Sequence, residues 1–152
     1  MRRQPNLRPV PNGNKYELLR DYGTTVDLVN IVVPRFFRYD GASIPPIAWQ
    51  IIYSPFHPDV MLPALVHDWL YYNHQTDREQ ADDIFYYLLK DNGVDDYKCS
   101  TMWQAVKVGG EYAWENDEDD INYLLKLREK VKGRPNFNRY VFPSEVLEKV
   151  NR

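Results

Sequence analysis

His67 and Asp68 are adjacent ionisable residues in the middle of a run, residues 60–72, that is otherwise apolar on nearly every face. At helical spacing Tyr71 falls one turn after His67 and on the same side, and Ala64 leaves space beside them. A charged pair buried on such a helix is costly without partners, so partners must exist. The following segment offers one. Placing Ala81, Phe85, Leu88 and Leu89 inward puts Asp82 on the same stripe, with Asp83 nearer Tyr87 and Lys90. The loop over residues 73–77 is short enough to make the two helices antiparallel neighbours, so Asp82 can reach a ring nitrogen of His67.

A carboxylate on one imidazole nitrogen fixes the tautomer and leaves the other nitrogen as a base near neutral pH. That assigns His67, Asp82 and Tyr71 to a catalytic set. Asp68 points roughly a quarter turn away, where with Asp40 it can hold a divalent cation, calcium or zinc. Ser43 and Gly41, in the turn before, face the substrate or shape the turn. The competing reading of His67, Asp68 and Asp82 is a buried polar network that sets the packing of two helices without doing chemistry. Ser43 reads as a turn residue before a nucleophile, and Asp40 as a cap before a ligand. His57 and His74 lie in loops, and His74 with Asp77 is too little for a metal site.

The elements that position these residues follow from local patterns. Residues 1–14 carry Pro5, Pro9, Pro11 and Gly13 and read as an extended arm. Residues 16–21 and 24–33 are rich in Val, Ile, Thr, Tyr and Leu around Tyr22-Gly23, which predicts a β-hairpin with its turn there. Pro34 ends the second strand, and residues 36–39 add a third. Asp40 to Pro46 is a turn, with Gly41 free to take positive φ and the prolines barring a regular continuation.

Helices are expected over residues 60–72 with Asp59 as cap, and from 77 or 78 to 90 with Thr76 and Glu79 as a capping box and Asn92-Gly93 as the stop. Another runs from 98 to 113 with Met102, Ala105, Val106, Gly109 and Ala113 inward. A fourth covers 117–132, acidic at its start and basic at its end, with Ile121, Leu124, Leu125 and Val131 buried. A short helix begins at Pro143 or Ser144. The expected fold is α+β, a small N-terminal antiparallel sheet (hairpin or meander) followed by a bundle of three to five helices.

Of the 152 residues, 43% are hydrophobic and 27% charged, a globular balance of one-domain size. The net charge of -3 creates no field that recruits nucleic acid across the molecule. Cys99 is the single cysteine, so no internal disulfide forms, and it reads as a small buried hydrophobe. No apolar run approaches membrane-spanning length and no apolar stretch follows Arg2-Arg3, so no span and no signal peptide are expected.

Asp40-Gly41-Ala42-Ser43-Ile44-Pro45, Trp49, Ala64, His67 to Tyr71, Arg78, Ala81-Asp82, Phe85, Gly93-Val94, Met102, Ala105-Val106 and Gly109 occur in an order and spacing that resemble the family called domain of unknown function 1353, DUF1353. The resemblance covers roughly residues 15–115 and divides the chain into an arm (1–14), a DUF1353-like domain (15–115) and a helical extension packed on it (116–152). It implies phage or prophage origin and no established activity. The chain departs from it at Phe36 and Tyr39, where the family more often has Gly and Thr. More weakly, His67-Asp68, Tyr71 and Ala81-Asp82 are similar to the phospholipase A2 site, in which the His is base for water, the adjacent Asp binds calcium and the later Asp orients the His. The glycine-rich calcium loop of that family has no counterpart in residues 53–59. A third comparison is with HD phosphohydrolases, through His57 and His67-Asp68.

Two functions are therefore carried forward. One is a small metal-dependent hydrolase of an ester or phosphoester in a phage or prophage accessory protein. The other is a non-catalytic virion component or host-factor-binding protein, in which the arm and the extension engage a virion or host partner. The sequence is open to an oligomer. The expected location is the cytoplasm of the bacterial host or the virion.

Overall fold

A computed structural model describes residues 2–51, 54 and 56–152. The chain starts with a three-stranded antiparallel sheet of β1 (Leu7–Pro9), β2 (Tyr16–Leu18) and β5 (Arg38–Tyr39), in the order β1-β2-β5. Its register places Arg8 and Arg38 opposite Glu17 on either side. The buried Glu17 carboxylate takes Arg8 Nη2 at 2.6 Å and Arg38 Nε at 3.0 Å. A slip by one residue would turn that carboxylate to the other face and strand it, so the charges help to hold the register. The proline-rich arm is thus partly a strand, because the Leu7–Pro9 backbone finds an edge to pair with.

β3 (Tyr22–Val26) and β4 (Val29–Val33) form a separate hairpin. Its turn is at Asp27-Leu28 rather than at Tyr22-Gly23, and Gly23 sits inside β3 opposite Val32. Both turn residues have positive φ, 50° and 64°, the backbone that matches strand twist in a two-residue hairpin. The strand pattern was legible, but Gly23 was the stronger turn signal by composition and drew the expectation to the wrong place.

Seven α-helices follow among the described residues. α1 (Pro46–Ile51) was not foreseen: Pro46 begins a helix instead of barring one, since a first-turn proline loses no hydrogen bond. α2 (Met61–Asn73) is the central helix, with eleven of its thirteen residues buried, which accounts for its apolar character on every face. Asp59 does not cap it. The first amides instead reach back to His57, through Val60 N at 2.9 Å and Met61 N at 2.8 Å.

α3 (Arg78–Asp91) is capped by the Asp77 carboxylate, which accepts from Gln80 N at 2.8 Å. Thr76 gives its hydroxyl to the Asp77 carbonyl instead, so the expected box is shifted by one residue. α3 packs along α2.

The single helix expected over 98–113 is two. α4 (Asp96–Gly109) breaks at Gly109-Gly110, and α5 (Glu111–Trp114) restarts after it. A Cβ on Gly109 would lie 2.6 Å from the Pro45 ring, so this glycine lets α4 pass close to the start of α1.

α6 (Glu118–Val131) has a reciprocal capping box between Asp117 and Asp120. It buries Ile121, Leu124, Leu127 and Val131; Leu125 is only half-buried. A short 3-10 turn (Phe137–Arg139) and α7 (Ser144–Val150) complete the chain. This C-terminal part returns to the N-terminal one: Tyr140 donates to Asp21 at 2.6 Å, and Tyr123 accepts from Arg38 N at 2.9 Å. The observed class is α+β, a small antiparallel sheet and hairpin followed by helices around one buried core. No helix is long and apolar enough to cross a membrane among the described residues.

Candidate functional site

The turn over residues 40–45 brings the site together. Gly41 has φ 78°, a conformation a side chain would strain, and Ile44 N closes the turn on Gly41 O at 2.9 Å. Asp40 Oδ1 accepts from Ala42 N at 2.8 Å, the capping role foreseen for it. This geometry aims the amides of Gly41 and Ser43 at α2, where Asp68 receives them at 2.9 and 3.2 Å; Asp40 N adds a longer contact of 3.3 Å. The Ser43 hydroxyl donates to the same Asp68 carboxylate.

Ser43 Oγ also lies 2.8 Å from His67 Nδ1, and His67 Nε2 lies 2.7 Å from Asp82 Oδ1 across the α2–α3 contact. Tyr71 donates to that same Asp82 oxygen at 2.6 Å. With Asp82 as acceptor, Nε2 carries the imidazole hydrogen and Nδ1 is turned to Ser43. The result is a continuous line, Asp82–His67–Ser43–Asp68, with Tyr71 as a side support.

The whole line is buried. His67 is 0% exposed, Asp82 1%, Asp68 3% and Ser43 6%. Rings of Tyr71 and Phe85 lie against the imidazole at 4.2 and 4.9 Å. Burial pushes the Asp68 carboxyl up, with the Ser43 hydrogen bond pulling the other way and the Asp40 charge pushing up further. Burial also raises the Tyr71 phenol, and its hydrogen bond to Asp82 adds to that, so Tyr71 remains a donor.

A cavity of about 220 Å³ opens against one end of this line. Ser43, Asp68, Tyr71 and Tyr72 form its inner wall, and His67 and Asp82 lie behind them. Sequence reasoning placed Ser43 in a turn beside the site; the structure makes it the residue that joins His67 to the cavity. The outer wall was missed altogether. It comes from the segment after Gly110, with Tyr112, Ala113, Glu115 and Asn116.

The Gly109-Gly110 pair was the available signal for that wall. At Gly110 a Cβ would stand 2.5 Å from the Tyr71 hydroxyl, so the chain turns tightly over the tyrosine. Asn116 Nδ2 then ties the segment to Tyr72 O at 2.9 Å.

The other candidates stand elsewhere. His74 is not simply solvated: it stacks on Trp114 at 4.0 Å and bonds its carbonyl at 2.7 Å. His57 Nδ1 accepts from Asp59 N at 3.2 Å. Cys99 is buried, with its thiol directed to Val94 O and pushed up by burial, which disfavours the thiolate. The glycine-free stretch 53–59 lies partly outside the described residues. Among the described residues, no group of three or more His, Cys, Asp or Glu side chains is arranged to hold a metal ion.

The family model described as "Protein of unknown function (DUF1353)" matches residues 16–106, which include Ser43, His67, Asp68, Tyr71 and Asp82. The chain is 35% identical over 92 residues to the uncharacterized protein y4jT of Sinorhizobium fredii, covering 60% of this chain and 27% of that protein. It is 29% identical over 107 residues to the uncharacterized protein y4iH of the same organism, covering 68% of this chain and 44% of that one. The chain thus spans less than half the length of the curated relatives it matches. No solved structure matches it.

Proposed function

The chain belongs to the DUF1353 family, a family of unknown function, and on that premise we propose that its site is that of a small hydrolase acting on an ester at Ser43. One observation carries the reading. Ser43 Oγ, His67 Nδ1, His67 Nε2 and Asp82 Oδ1 are linked at 2.8 and 2.7 Å, and of the three residues only Ser43 lines the cavity. A serine hydroxyl, a histidine and a carboxylate in that order are the parts of an activated nucleophile.

In this reading Ser43 Oγ attacks the ester carbonyl carbon and its proton passes to His67 Nδ1. Asp82 stabilises the imidazolium through Nε2. The proton then returns to the departing alkoxide, leaving an acyl group on Ser43. Water entering through the cavity attacks that acyl group by the reverse sequence and regenerates the hydroxyl. His67 therefore acts behind Ser43, not on water directly as the resemblance to the phospholipase A2 site implies. Asp68 competes for the same hydroxyl hydrogen, and burial, which pushes its carboxyl up, weakens that competition in favour of His67.

A divalent cation, calcium or zinc, would find Asp40 and Asp68 as oxygen donors in the cavity wall. Asp68 already receives three backbone amides and a hydroxyl, so a cation there displaces existing bonds. The setting that goes with the reading is the phage or prophage one the family resemblance implies, in the cytoplasm of the host or in the virion.

A specific observation favours a second reading. The His67 ring is sealed and both its nitrogens are bonded, which is the behaviour of a network that locks the 40–45 turn onto α2 and α3. The protein is then a virion or host-binding component whose network is structural.

One experiment separates them. Wild-type protein, Ser43→Ala and His67→Gln are assayed on short-chain p-nitrophenyl esters and on bis-p-nitrophenyl phosphate, with EDTA, calcium or zinc, while circular dichroism reports the fold. The hydrolase reading expects ester turnover that falls on the order of 10³-fold in folded Ser43→Ala. Wild-type protein that is folded and turns over nothing under any of these conditions leaves the structural reading.

A further inference from the structure

We propose that the cavity in front of Ser43 takes a positively charged substrate, an ester bearing an ammonium group, and rejects phosphoesters. The inference rests on the hydrolase reading for its chemistry but concerns what the cavity binds. Five acidic side chains and two basic ones line it, so its walls are net negative whether Asp68 is ionised or neutral. Of the two bases, Arg38 is already held by the buried Glu17 carboxylate at 3.0 Å, which leaves Lys15 to offset the acids.

The acids are not spread evenly. Asp40 lies beside Ser43, and Glu115, Asp117 and Asp120 stand on the outer wall where the chain leaves α5 and enters α6. Asp117 and Asp120 each accept the other's amide, which fixes both carboxylates in place without removing their charge. Burial pushes the Asp120 carboxyl up, and the neighbouring charges of Asp117 and Asp119 add to that.

The second observation is independent of charge. Three tyrosines, Tyr71, Tyr72 and Tyr112, share the lining, and the Tyr112 ring is 93% exposed on the outer wall. An aromatic held out at the rim of a cavity contributes nothing to the core, but it offers a face to a ligand. Ring faces together with carboxylates are what recognises an ammonium or quaternary ammonium group. A dianionic phosphoester meets the same walls as repulsion.

The cavity's size agrees with a small ligand: about 220 Å³ is room for a choline-sized ester and not for a polymer. Ser43 lies at the inner wall and Glu115 at the outer one, so the ester end reaches the hydroxyl while the cation rests among the outer acids.

The test measures binding and turnover apart. Ser43→Ala is titrated by calorimetry with acetylcholine, with its uncharged isostere 3,3-dimethylbutyl acetate, and with p-nitrophenyl phosphate; wild-type protein is assayed for hydrolysis of the first two. The proposal expects the cationic ester to bind about tenfold or more tightly than the isostere, no binding of the phosphate, and a preference that shrinks in high salt. Glu115→Gln weakens the preference, and Glu115→Lys at this exposed position abolishes it without touching the buried line. Equal affinity for the two esters, binding of the phosphate, or binding of none of the three overturns the proposal. Cation-selective binding with no hydrolysis by the wild type upholds the proposal's account of the cavity and removes the hydrolase reading alone.

Discussion

Tyr71 and His67 meet on a single oxygen of Asp82, the phenol at 2.6 Å and the imidazole Nε2 at 2.7 Å. One residue is a turn of helix from the other, so α2 presents two donors to one acceptor on α3 and the contact fixes how the helices lie. The phenol's burial and its bond to Asp82 keep it protonated.

Removing that phenol separates support from chemistry. Tyr71→Phe is expected to cost about 1–2 kcal/mol of stability, read by urea denaturation, and to lower ester turnover far less than His67→Gln does. Loss of turnover equal to that of His67→Gln would move Tyr71 from a positioning residue to one that touches substrate.

Asp82→Asn retains the volume and removes the charge. A buried imidazole then faces an amide that supplies the wrong hydrogen, and breaking a buried pair of this kind costs on the order of 3 kcal/mol. Nitrogen NMR of His67 is expected to show the hydrogen moving from Nε2 to Nδ1, with turnover falling as the base is turned away from Ser43. An unchanged tautomer with full turnover would mean that the amide oxygen takes the place of Asp82 Oδ1 and that the charge on Asp82 is not needed.

Glu17 predicts an acid-sensitive sheet. Its burial alone would raise the carboxyl, but hydrogen bonds from Arg38 and Arg8, and their charges, hold it below its ordinary value of 4.5. A depressed carboxyl stabilises the fold above the unfolded value and loses that contribution as pH falls through the folded one. Glu17→Gln should therefore cost about 1–2 kcal/mol at neutral pH, both arginines being partly exposed, and close to nothing in strong acid. Thermal melts across pH show this as two curves that converge on the acid side.

Gly110→Ala tests the outer wall. Its Cβ would be placed 2.5 Å from both the Tyr71 hydroxyl and the Val106 carbonyl, so either the tyrosine or the α4–α5 junction must shift. A loss of about 1–3 kcal/mol is expected, together with altered fluorescence of Trp114, whose ring stands edge-on to Tyr71 at 5.1 Å. A neutral substitution would mean that the segment over the cavity is free to move.

Much of this molecule is readable from local pattern. The apolar run around His67-Asp68 had to be a buried helix, and a polar pair there had to find partners. The stripe of Ala81, Phe85, Leu88 and Leu89, with a short loop before it, put Asp82 opposite His67, and their 2.7 Å contact agrees. The signals at Asp117 and at Asn92-Gly93 marked helix ends because capping is settled within a few residues. Where two signals of similar strength competed, the choice failed. Gly23 outweighed Asp27-Leu28 as a turn, Thr76 outweighed Asp77 as a cap, and Pro45-Pro46 hid a helix start.

The amino-acid order alone determined that an imidazole, two carboxylates and a phenol would be gathered on facing helices, since periodicity and loop length are local quantities. Which atom faces which was decided only by the fold. Ser43 reaches His67 because Gly41 bends the chain back over α2, and the cavity exists because residues after Gly110 return to cover Tyr71. Both depend on contacts between segments tens of residues apart, which no window along the chain contains.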